Sequence, residues 1–160
     1  MSTPHHFIAI DPGANGGIAW TSQDGEHSAP LPKTLGDTNA LIFDILAKQG
    51  FFDGAAKVTC HLEEPPKFVK AIPGSAVFVM ARNFGNLEGV LAAYRVPTIL
   101  TRPQAWQQRV GNLGTKGDKS TTQWKNALKA RAQQLYPEEK ITLATADALL
   151  ILWTATQGNA

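Results

Sequence analysis

Apolar residues open the chain in two short β-prone runs, residues 7–11 (FIAID) and 18–20, separated by the turn-forming stretch PGANGG. That pattern predicts a hairpin whose first strand ends in a carboxylate. A third strand is expected within residues 28–34, where Pro30 and Pro32 would confine it to a sheet edge or break it. Leu41, Ile42, Ile45 and Leu46 then recur at helical spacing up to a stop at Gly50. Residues 57–63 (KVTCHLE) alternate, with Val58, Cys60 and Leu62 pointing one way and Thr59, His61 and Glu63 the other. Pro65 and Pro66 end that strand, because proline cannot extend a central ladder.

Val77, Met80, Phe84, Leu87 and Leu91 repeat at steps of three or four, which predicts a core-facing helix over residues 76–94 that tolerates Gly85 and Gly89. A short strand follows at residues 97–100, and Pro103 is suited to the first turn of a helix. A glycine-rich loop, 111–117, leads to a basic helix at about 120–135. The last helix begins near Thr145; its surface is almost wholly apolar, with Asp147 as the interruption. Strands joined by both hairpin and helical crossovers predict an α/β fold with a mixed central sheet packed by helices.

The 160 residues fit one domain, residues 1–160, and 43% hydrophobic with 18% charged content is that of a folded globular chain. A lone cysteine, Cys60, excludes an internal disulfide, and no Cys/His pattern suggests zinc. The start MSTPHHFIAIDPG has no secretory pattern and no stretch reaches the ~18 apolar residues of a membrane span, so a cytoplasmic protein with no membrane partner and no small-molecule cofactor is expected. A net charge of +2 says little, but its placement says more: residues 102–131 carry seven basic side chains against one acid, Asp118. Such a segment suits DNA phosphates.

Three carboxylates stand at element ends beside apolar neighbours: Asp11, Glu63 and Asp147. A charge at such a boundary is costly unless compensated, and a hard divalent cation held by oxygen ligands is one compensation. Two such ions can serve phosphodiester cleavage. Singly, each acid has an ordinary alternative: an Asp before Pro-Gly is often a turn residue, and an Asp in a first helical turn often serves the helix dipole.

Order and spacing favour the first reading. IAIDPGANGGIAW, HLEEPPKF, FGNLEGVLAA, RPQAW and ATADALLI, spanning about residues 7–156, together resemble the RuvC family of Holliday-junction resolvases, in particular its phage and prophage branch. The resemblance implies a ribonuclease-H-like fold, a homodimer, and Mg²⁺- or Mn²⁺-dependent two-metal nicking of four-way DNA junctions. It places Asp11, Glu63 and Asp147 as metal ligands and catalytic residues, with Lys119 as the nearest match to a lysine near the scissile phosphate and Lys116 beside it. In one respect the chain departs from the family. Where a fourth ligand is expected, a turn before Asp147, Leu143 and Ala144 stand, and Glu64 should project away from Glu63. A catalytically weak or inactive junction-binding protein is therefore the alternative to an active endonuclease. An actin-like phosphotransferase, which also uses an Asp-Gly hairpin, would need a second domain that the length does not provide.

Further DNA contacts are expected from Lys67, Phe68 and Lys70 in the proline-bounded loop, where an aromatic ring could stack on an unpaired base. Arg82 and Arg102 complete the expected set. Trp106, Trp124 and Trp153 read as packing residues.

Overall fold

Alternation along the first strand sorts the molecule into two cores. The computed structural model describes residues 2–67 and 73–157, so the expected contacts Phe68 and Lys70 lie outside the described residues. Strand β1 (His5–Ile10) pairs antiparallel with β2 (Gly17–Ser22), and β2 pairs antiparallel with β3 (Gly25–Pro30). The third strand thus begins at Gly25, earlier than the 28–34 span expected, and Pro30 closes it at the sheet edge, where a missing N–H costs no ladder bond.

Helix α1 (Leu35–Lys48) carries the chain to β4 (Lys57–Glu63), which lies parallel to β1, and α2 (Gly74–Ala93) carries it to β5 (Thr98–Thr101), parallel to β4. The sheet order is β3-β2-β1-β4-β5. Helices α3 (Pro103–Val110), α4 (Thr121–Leu135) and α5 (Ala146–Gln157) follow, with a 3-10 turn at Lys116–Asp118 inside the glycine-rich loop.

Ile8, Ile10, Ile18, Cys60 and Leu62 face α1 and α2 and pack with Ile42, Leu46, Leu87 and Leu91. Phe7, Ala9 and Ala19 face the other way and pack with Trp106, Leu128, Leu149 and Leu152 from α3, α4 and α5. The polar side of β4, which includes His61 and Glu63, belongs to this second layer. Helix α2 is less committed to the core than its periodicity predicts: Leu87 and Leu91 are buried, Val77, Met80 and Phe84 are half-buried, and Phe78 is 66% exposed.

The helix starts carry the local signals that fix them. Pro103 occupies the first turn of α3, and Ser120 caps α4 in a reciprocal arrangement with Gln123. At α5, Thr142 and Thr145 exchange backbone-to-hydroxyl bonds of 3.1 and 3.3 Å. Gly17 lets that helix approach the sheet, since a Cβ there would stand 2.3 Å from the Ala144 carbonyl oxygen.

Candidate active site

The parallel register of β1 and β4 decides where the acids meet. Ile10 stands opposite Leu62, so Asp11 and Glu63 emerge side by side at the carboxyl ends of neighbouring central strands. Both belong to the set of positions that faces α5, and α5 brings Asp147 in its first turn. All three are half-buried.

Each acid is held by a different device. The Asp11 main chain is tied to the far side of the hairpin by its N–H to the Gly17 carbonyl, at 3.0 Å. Its Oδ1 accepts the Gly13 N–H at 3.0 Å, so the PGANGG turn aims the carboxylate. Glu63 Oε2 accepts the indole N–H of Trp106 at 2.6 Å, a short, charge-assisted contact from a side chain that is itself 1% exposed. Asp147 is placed by its helix, whose start is fixed by the Thr142 and Thr145 pair.

The three carboxyls act on one another. Burial raises Asp11 above the usual carboxylate range, against the pull of the Gly13 amide and Lys125. Burial and then the Asp11 charge push Glu63 up to about 8, with Asp147 adding to the effect and Trp106 and Lys116 opposing it. Burial and Asp11 push Asp147 up to about 7, against Lys125 and Lys116. Repelling acids in a low-dielectric pocket have the chemistry that a hard divalent cation relieves, and the donor set is all oxygen.

Among the described residues, no group of three or more His, Cys, Asp or Glu is arranged to hold a metal ion as it stands. The residues fit a divalent cation by donor chemistry and by electrostatic proximity, without a preassembled ligand cage.

Around the acids, the basic segment divides. Lys116 and Lys125 are the cations whose charge reaches the carboxylates. Lys116 also lies over the Trp124 ring, 5.6 Å from its centroid. Lys119 turns back along its own loop, its Nζ donating to the Thr115 carbonyl at 3.4 Å. Arg102 and Lys67 both approach Glu64, at 3.5 and 3.9 Å. Glu64 therefore joins a small ion-pair group at the strand end. Arg82 lies on α2, on the other side of the hairpin turn from the acids. Leu143 is 54% exposed and Ala144 presents its carbonyl to Gly17, so neither supplies a ligand.

No protein-family model and no curated protein sequence matches this chain. Among solved structures, Thermus thermophilus RuvC in complex with a Holliday junction substrate superposes with a TM-score of 0.66 at 15% identity, covering 97% of this chain and 95% of that one. A second Thermus thermophilus RuvC structure gives a TM-score of 0.59 at 18% identity and covers 96% of both chains.

The fold is that of RuvC. It is the ribonuclease-H-like architecture expected from the sequence, and it extends over nearly the full length of each chain. The likeness is one of backbone; the side chains presented at the ends of β1 and β4 and in the first turn of α5 are this chain's own.

Two residues of the site were not singled out by the sequence. Trp106 packs as expected, but it also orients Glu63. A buried indole N–H needs an acceptor, and the missing acceptor was the available signal. Lys125 read equally as a solvated helix position, and only the packing of α4 against α5 turns it toward the acids.

Proposed function

We propose that this chain is a metal-dependent, structure-specific endonuclease that nicks four-way DNA junctions. The observation that carries the reading is the convergence of Asp11, Glu63 and Asp147 from the ends of β1 and β4 and the first turn of α5, all three made more basic by burial and Glu63 and Asp147 further by the Asp11 charge, beside Lys116 and Lys125. Support for branched DNA comes from the fold it shares with a RuvC bound to a Holliday junction substrate.

Asp11, Glu63 and Asp147 would hold Mg²⁺ or Mn²⁺. Bound divalent ions supply a nucleophile at neutral pH and stabilise the charge that develops on the attacking and leaving oxygens. The protein's own contribution is positional. Trp106 fixes the orientation of Glu63, the Gly13 amide fixes that of Asp11, and the Thr142–Thr145 pair fixes the start of the helix bearing Asp147. Lys116 and Lys125 neutralise a phosphate brought against the acids, and the apolar surroundings strengthen each of these interactions.

A homodimer belongs to this reading, because cutting both sides of a junction takes two such sites. Ala81, Gly85, Gly89 and Ala93 form a row of exposed small residues along α2, and a Cβ at either glycine would meet nothing within 4 Å. With exposed Phe78 nearby, this surface suits close packing against a second copy. Sedimentation of the full chain tests it.

The second reading, junction binding without cleavage, is favoured by Leu143 and Ala144 at the fourth-ligand positions and by the open arrangement of the acids. A labelled four-way junction incubated with Mg²⁺ and, separately, with Mn²⁺ distinguishes the two. Paired nicks that disappear in Asp11→Asn, with junction binding retained, establish the nuclease. Binding without nicks in either metal establishes the alternative.

A further inference from the structure

On the opposite side of the PGANGG turn from the acids lies a cavity of about 490 Å³, walled by the turn, the start of α1 and the middle of α2. Its size is within the ~300–1,000 Å³ typical of ligand sites. Two kinds of surface line it. Leu31, Leu35, Val79 and Leu87 form apolar walls, and Lys33, Arg82, Asn83 and Asn86 supply cations and amides.

The two cations differ in how much of their bonding capacity is used. Lys33 Nζ donates to the Ala14 carbonyl at 3.0 Å and to Asn15 Oδ1 at 3.3 Å, which ties it to the turn. Arg82 makes no ion pair with any described residue and keeps its five donors for a ligand. The one acid at this end of α1, Asp37, is engaged by the hydroxyl of Thr34 at 2.6 Å.

Apolar walls of this size accept a flat heterocycle, side-chain amides match the donors and acceptors of a base edge, and a guanidinium matches a phosphate. The same turn that aims Asp11 forms one side of the cavity, so an occupant would sit directly across that turn from the acids. We propose that this cavity receives one unstacked nucleotide of a DNA strand, its phosphate on Arg82 and Lys33 and its base against Leu35 and Val79, with Asn83 and Asn86 at the base edge. This rests on the junction-nuclease reading. It adds a reason for branch selectivity, since a base inside a continuous duplex is paired and stacked, whereas one at a branch point is more readily extruded.

The full-length protein, in buffer without divalent metal, is titrated onto a four-way junction carrying 2-aminopurine at the branch and onto a linear duplex of equal length. Leu35→Trp, which fills the cavity from a half-exposed helix start, and Asn86→Ala, which removes a base-edge partner, are compared with the unaltered chain after their melting curves confirm folding. Entry of the base raises the fluorescence on binding. Both variants should lose most of that rise and bind the junction about 10-fold more weakly, with duplex affinity unchanged.

Unchanged fluorescence and affinity in both variants, with the junction still bound, overturn the proposal and leave the functional reading intact. If the unaltered chain fails to bind the junction, the functional reading falls, and titration with deoxynucleoside monophosphates decides the cavity. Binding that Leu35→Trp abolishes identifies a site for free nucleotides, and no binding overturns the cavity proposal as well.

Discussion

The contact between Trp106 and Glu63 shows how one side chain serves packing and chemistry together. Trp106→Phe keeps most of the buried ring but leaves the Glu63 carboxylate without its donor. Loss of a charge-assisted bond in a buried setting costs about 1–3 kcal/mol, and a mis-aimed ligand typically costs 10–100-fold in metal affinity. The variant should therefore bind Mn²⁺ at least about 10-fold more weakly, read as a smaller cation-induced rise in melting temperature, while junction binding without metal is unchanged. The acids themselves make stability depend on pH. Glu63 at about 8 and Asp147 at about 7 lie above their unfolded values, so their contribution to stability is complete below the ordinary carboxylate range and is lost as pH rises through 7 and 8. Metal-free protein should melt roughly 5–10 °C lower at pH 9 than at pH 5, and Mn²⁺ should restore more of that loss at the higher pH. Asp11→Asn removes the charge that both other acids feel and should flatten the dependence.

At the level of elements, what could be read in the sequence was what local patterning controls. The alternation of KVTCHLE and the two prolines after it gave β4 with its correct ends, and Pro103 marked the start of α3, because its fixed φ suits a first helical turn. Elements whose limits depend on partners were harder to place. The third strand begins at Gly25 because its pairing with β2 continues to Ser22, a constraint set across the hairpin. The apolar period of α2 suggested a core helix, yet its first half is largely exposed, which composition alone cannot distinguish from burial. Gly17 is the clearest element-level dependence. Gly17→Ala forces a methyl against the Ala144 carbonyl, so α5 must shift away from β2 and carry Asp147 with it. A loss of about 1–3 kcal/mol, seen in denaturant unfolding, together with weakened cation binding is the expected result.

For the whole molecule, the two structural neighbours show that a backbone can persist at 15–18% identity while no sequence family matches, because the alternating apolar positions, and not particular side chains, define the two cores. The candidate site was legible as three acids at element ends, since a strand's end and a helix's first turn are readable positions. Their grouping was not readable from spacing, because it depends on β4 entering the sheet beside β1. The same dependence concealed which basic residues face the acids. Lys116→Ala and Lys125→Ala should each reduce the slope of log affinity against log salt by about 0.9 and weaken all DNA forms alike, the signature of a phosphate contact.

Cys60 sits at the centre of this arrangement, fully buried between β1 and β5, its thiol pushed well above the ordinary range by that burial. It is the chain's only sulfhydryl, so a thiol-specific reagent has nothing to modify until the core between the sheet and α1 and α2 opens. The molecule therefore carries a built-in clock for its own opening. The rate of thiol labelling under native conditions measures how often the core over the central strands opens, with no change to the sequence, and any ligand that clamps the acids or fills the neighbouring cavity should slow it.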